Sequence, residues 1–237
     1  MNSMAIDRRT FLLGTLAALP AGAATRALGT VAEDIAFMSA AKRGDGFAVL
    51  LLSADGRILR EVPLSARGHD IAVHAASGEA VVFARRPGTF AVALDLAGRR
   101  TPQIFNAHDG RHFYGHGAFS ADGRLIYVSE NDIDKGQGVI GVYDVSAGYK
   151  RLGEFPSHGV GPHELILLHD GTTLAVANGG LDTVPESGRE NLNLETMSPS
   201  LAFVDCRTGG LLQRHELAAD LKRLSIRHIA AGHSGRV

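Results

Sequence analysis

Apolar residues along this chain come in short strand-like runs cut by glycine-containing turns. Residues 35–41 and 47–52 are two such runs around Lys42-Arg43-Gly44-Asp45-Gly46 and read as a hairpin. A turn at 53–57 leads to residues 58–62, whose alternation suits an outer, half-exposed strand. A second unit predicts strands at 69–74, 80–84 and 90–96, with a weaker one after Gly98; a third repeats the order at 118–119, 125–129, 139–145 and 149–155. Asp95, Asp144 and Asp205 each close the third strand of a unit and precede a turn glycine, at Gly98, Gly148 and Gly209.

A histidine opens each unit after the first. His69, His116 and His163 fall 47 residues apart twice over, each followed by an apolar run and a Ser-Gly or Asp-Gly turn, and His228 starts a fourth copy. A period in the forties with four strands per repeat is the mark of a β-propeller blade. The step from His163 to His228 is 65 residues; the excess of 18 falls in residues 179–197, an insertion between two strands of the fourth unit. Insertions of that length in a compact repeat are functional or disordered loops. Residues 226–231 read as the first strand of a fifth unit, with a turn at 234–236 and Val237 opening the next strand. Stopping there leaves an apolar edge unpaired. The expectation is therefore an all-β chain: a β-propeller of the seven-bladed type in the full-length protein, truncated here after about four blades, its C-terminal blades missing.

Residues 1–30 stand outside that pattern. Asp7-Arg8-Arg9-Thr10-Phe11-Leu12-Leu13 is a twin-arginine sequence running into an apolar stretch that ends at Pro20, followed by Ala21-Gly22-Ala23. The apolar stretch from Phe11 to Leu19 is well short of the roughly 20 residues of a spanning helix, so a cleaved signal is expected, with residues 31–237 as the partial propeller. No cysteine follows the cleavage region, which argues against a lipoprotein anchor. The expected location is the periplasm, with no membrane association after cleavage. A net charge of −1 offers no field for nucleic acid. Cys206 is the single cysteine, which excludes an intrachain disulfide, and it reads as a half-buried thiol.

On the propeller reading the repeated histidines ring one mouth of a central channel. His116, His163 and His228 are the metal-ligand candidates and a transition metal such as iron the candidate cofactor, imidazole being a common ligand of such ions. The competing reading is that each histidine only hydrogen-bonds a neighbouring loop. The richest polar cluster, residues 106–116, contains Arg111, His112, Tyr114 and His116, and its glycines argue for a loop. Glu130, Asn131 and Asp132 offer carboxylate and amide oxygens after a strand, in a spacing that is not that of a calcium loop and suits a polar turn. No phosphate loop, paired-cysteine motif or nucleophile elbow is present, and nothing points to a Ser/His/Asp triad.

Several phrases resemble an uncharacterised bacterial family of twin-arginine-exported, propeller-like proteins known only as a domain of unknown function. They include residues 110–117, 129–132, 138–144 and 156–165, the Asn178 and Arg189 segments, Leu192-Asn193-Leu194, and Leu224-Ser225-Ile226-Arg227-His228. Family members are longer at the C-terminus. Val184 stands where a histidine is expected before the insertion's proline, which weakens the insertion as a source of a metal ligand. Such proteins tend to be encoded beside imelysin-like proteins of iron acquisition, so the resemblance implies periplasmic iron-uptake proteins as partners. The ligand-binding candidates are Arg111, His112, Tyr114, His116, Glu130, Asn131, Asp132, His163, Glu164, Asn178, Arg189, Arg227 and His228. The expected function is that of a periplasmic binding or accessory protein in iron or other metal acquisition. The alternatives are a channel-metal propeller enzyme, oxidoreductase or lactonase-like, and an inert gene product.

Overall fold

The middle strands of the chain are apolar without alternation because each is covered on both faces. In the computed structural model, which describes residues 34–85, 88–183, 192–232, 236–237 and the backbone of residues 17–18, sixteen strands form four four-stranded antiparallel sheets. The first holds β1 (Ala17–Ala18), β2 (Phe37–Arg43), β3 (Gly46–Leu52) and β4 (Ile58–Leu64); the second holds β5 (Gly68–His74), β6 (Glu79–Ala84), β7 (Phe90–Asp95) and β8 (Gln103–Asn106). The third holds β9 (Arg111–Phe119), β10 (Leu125–Asp132), β11 (Gln137–Asp144) and β12 (Lys150–Pro156); the fourth holds β13 (Pro162–Leu167), β14 (Thr173–Asn178), β15 (Ser200–Asp205) and β16 (Leu211–Glu216). Within each sheet the strands pair in chain order.

Three apolar cores lie between successive sheets, and β6 shows how one strand serves two of them. Its Ala80 and Val82 join Met38, Val49, Leu51 and Val62 of the first sheet, while Val81 and Phe83 join Phe113, Phe119 and Val128 of the third. All six residues of β6 are buried. The third core sets Tyr127 and Ile140 against Leu165, Leu174, Val176 and Val204. Burial on both faces gives continuous apolar runs and removes the alternation seen in half-exposed strands.

Asp95, Asp144 and Asp205 end the third strands, as expected, and their carboxylates also hold the turns that follow. The Asp144 carboxylate accepts from the backbone N–H of Ser146 and Ala147, Asp205 from those of Arg207 and Thr208, and Asp95 from those of Ala97 and Arg99. Each closes a local turn of the type these side chains favour.

Three expectations are corrected. Arg111–His116 is not a loop but the start of β9, whose Arg111–Phe113 pair with Glu130–Asp132, which in turn are not a polar turn but the buried end of β10. Residues 226–231 form no strand; among the described residues they lack a ladder partner, and Ile229 N–H is tied instead to Glu164 Oε2 at 2.7 Å.

Candidate metal centre at the first strands

The first strands β5, β9 and β13 pack side by side. Each carries a bulge, and each bulge contains the unit's histidine. Between the pairs Gly68–Ala84 and Ile71–Val82, β5 holds one residue more than β6, and His69 lies in that interval. Between Phe113–Glu130 and Gly117–Val128, β9 holds two more than β10, around His116; between Pro162–Asn178 and Glu164–Ala177, β13 holds one more than β14, at His163. A bulge re-aims a side chain that regular pleating would send elsewhere.

The three imidazoles converge. Their candidate ligand nitrogens all lie within 4.8 Å of one another. Ring centroids are 4.8 Å apart for His69 and His116, 5.0 Å for His116 and His163, and 5.7 Å for His69 and His163. His228, on the segment after β16, adds a fourth ring 5.0 Å from His163 and 5.7 Å from His116, its side chain 66% exposed. Gly115, at φ +103°, makes the approach possible: a Cβ there would fall 2.6 Å from Cδ2 of His69. The tightest group is thus His69, His116 and His163; His69 was absent from the expected ligand set although its 47-residue spacing is the same.

The environment suits neutral imidazoles. Burial, and next the neighbouring His116 ring, pull His69 down to about 4; burial, and next the His116 and His228 rings, pull His163 down to about 2. Both therefore keep a lone pair at neutral pH. His116 is buried, its Nδ1 lies 3.2 Å from Asp70 Oδ2 without making a hydrogen bond, and two further atoms have no hydrogen-bond partner among the described residues: Nε2 of His116 and Nδ1 of His163. A buried polar atom left without a partner costs about 1–3 kcal/mol. A metal ion would satisfy both atoms.

The other polar candidates form internal clusters. Arg111 makes a two-pronged pair with Glu154 at 2.9 and 2.7 Å and meets Asp132 at 3.1 Å. Glu130, fully buried, accepts from Tyr143 Oη at 2.5 Å and from Arg151 at 2.9 Å. His112 Nε2 lies 2.8 Å from the Thr183 carbonyl and Tyr114 Oη donates to that of Leu181, so the start of the insertion docks on β9. Asn131 donates to Asp182 and Thr183, and Asn178 binds Ser157. Arg227 is exposed, and Arg189 and Val184 lie outside the described residues. Arg151, Glu154, Tyr143 and Asp70 were not foreseen; Arg151 and Glu154 pair three residues apart, but their links to Glu130 and Arg111, and that of Asp70 to His116, span too much of the chain for spacing to show them.

The Arg111 hydrogen bond is the main cause that holds the Glu154 carboxyl down to about 2, with Arg151 adding to it against partial burial. A carboxylate whose folded value is depressed contributes stability above its unfolded value of about 4.3 and loses it as pH falls toward the folded value. Comparing urea midpoints of the parent and Glu154→Gln, we expect a gap that is constant from pH 7 to about 5 and closes between about 4.3 and 2. A gap unchanged down to pH 2 would contradict the pairing.

The family described as "Protein of unknown function (DUF1513)" matches residues 62–237. The chain belongs to this family. The DUF1513 match starts within β4 and contains all four converging histidines together with Asp70 and Glu164. No curated protein matches the chain. Among solved structures the chain is similar to hydrazine synthase of Kuenenia stuttgartiensis, with 15% identity and a TM-score of 0.56 over 73% of this chain and 44% of that one. At that identity the likeness is one of fold, and this DUF1513 chain spans under half the length of that structure. No helix among the described residues is long and apolar enough to cross a membrane.

Proposed function

We propose that the four sheets are blades of a β-propeller and that the histidines at their first strands bind a divalent transition metal. The observation that carries this reading is the recurrence of the bulge: three separate sheets break register at the histidine, and the break brings the three imidazoles together with Nε2 of His116 buried and unpartnered. Tetrahedral Zn–N bonds of about 2.05 Å need nitrogens about 3.4 Å apart, so binding would draw the rings slightly inward. The donors are imidazoles, which suit copper, zinc, nickel and ferrous iron, whereas hard cations are held by oxygen. The chain is read as a binding or accessory protein of metal handling. Periplasmic location through the twin-arginine sequence, and iron-uptake proteins as partners, belong to the same proposal and rest on the N-terminal pattern and the family resemblance.

The test uses the full chain stripped with a chelator and titrated with Co²⁺, Zn²⁺ and, without oxygen, Fe²⁺. Expected are one ion per chain after desalting, visible absorption bands for the cobalt form, and tighter binding of cobalt than of iron. A chain that retains no ion at micromolar metal would refute the reading.

A further inference from the structure

The first-strand histidines are followed by different residues: Asp70, Gly117 and Glu164. The two carboxylates serve the next histidine along the chain, not their own. Asp70 Oδ2 lies 3.2 Å from Nδ1 of His116, and Glu164 Oε2 lies 3.3 Å from Nδ1 of His228. Glu164 is itself anchored by the Ile229 N–H at 2.7 Å. Gly117 has no side chain to extend, and the histidine one step on, His163, has a buried Nδ1 with neither a hydrogen bond nor a carboxylate at ion-pair distance among the described residues, whereas Nδ1 of His116, which also makes no hydrogen bond, lies against Asp70.

The exception has a packing cause. A Cβ at position 117 would lie 2.9 Å from Cε2 of Phe83 and 3.0 Å from the Tyr127 carbonyl oxygen. Phe83 is fully buried in the core between the second and third sheets. That core therefore excludes a carboxylate at the third unit, and the step from β9 to β13 is left bare.

The geometry points to Asp70 and Glu164 as positioning residues of the proposed metal centre, each holding Nδ1–H of the following histidine so that the Nε2 lone pair faces the cluster. His163, which follows Gly117 in the order of units, has no such carboxylate. The inference rests on the metal-binding reading above. A carboxylate behind a ligating imidazole fixes its tautomer and raises its basicity, and losing it typically costs 10–100-fold in metal affinity.

Two measurements on the full chain test it. In the metal-free protein, long-range ¹H–¹⁵N spectra should show His116 and His228 with the proton on Nδ1, and Asp70→Ala should move the His116 proton to Nε2. Asp70→Ala and Glu164→Ala should each weaken Zn²⁺ binding 10–100-fold, while Asp70→Asn, whose amide oxygen still accepts from Nδ1–H, should keep the tautomer and lose less. His116 carrying its proton on Nε2 in the parent would overturn the inference. So would Zn²⁺ affinity within twofold of the parent in Asp70→Ala while His116→Ala abolishes binding, a result that leaves the metal reading standing. If the parent binds no Zn²⁺, the metal reading fails and the tautomer spectra still decide the positioning claim.

Discussion

His116→Ala is expected to weaken Zn²⁺ binding at least a hundredfold, about 2.7 kcal/mol, and to leave no ion on the chain after desalting. His116 is the most buried of the four rings and the one that touches all the others, at 4.8 Å from His69, 5.0 Å from His163 and 5.7 Å from His228. Removing it leaves the His69 and His163 rings 5.7 Å apart without the ring that touches both. Its Nδ1 lies 3.2 Å from Asp70, whose carboxyl stays below its usual range because pairing with His116, helped by the Ile71 N–H and the His69 ring, outweighs the burial that opposes it. The loss should therefore fall on metal rather than on folding. Competition with a chromogenic chelator reads the affinity, a melting curve of the metal-free variant confirms that it folds, and His169→Ala, at an exposed position, should bind like the parent. Binding within threefold of the parent in His116→Ala would sink the metal centre.

Gly141→Ala should be the most damaging small substitution in the third sheet. A Cβ there would run into Oε1 of Glu130, fall 2.6 Å from its Cδ and lie 2.9 Å from Cε2 of Tyr143. Glu130 cannot give way cheaply, because it is fully buried and holds both the Tyr143 hydroxyl and the Arg151 guanidinium. Burial pushes its carboxyl up, against the pull of Arg151, so a displaced Glu130 would stay buried without the guanidinium that offsets that burial. Breaking a buried pair from one side costs about 3–5 kcal/mol, a large share of the 5–15 kcal/mol that holds a domain together. Urea unfolding should show a midpoint drop of that size for Gly141→Ala. Gly153→Ala on the neighbouring strand, where a Cβ meets nothing within 4 Å, should stay within about 0.5 kcal/mol of the parent. Equal midpoints for the two variants would contradict the account.

The units were legible because two signals kept one order: a histidine before an apolar run, and an aspartate before a turn glycine. Both reflect local chemistry, so the sequence shows them directly. The convergence of His69, His116 and His163 was legible from the 47-residue step, and that of His228 from the repeated phrase, but the bulges that aim the first three were not. An extra residue in one strand is defined only against its partner strand. The same gap explains β9. Gly110, Gly115 and Gly117 look like breakers, yet Gly115 makes room for His69 and Gly117 for Phe83, residues of another sheet. Glu130 and Asp132 read as a polar turn because Arg151, which pairs with Glu130, and Arg111, which pairs with Asp132, stand 21 residues away on either side.

The bulged histidines also tie ligand binding to assembly. His69 and His163 are 94 positions apart and belong to sheets that do not share a core, so the nitrogens meet only after the second, third and fourth sheets have docked. An ion bound there would act as a late clasp: unable to gather its ligands from the unfolded chain, it would add about 2.7 kcal/mol to the docked state at a hundred times its dissociation constant. Metal loading would then follow folding, and the metal-free chain would open first at the seams between those sheets.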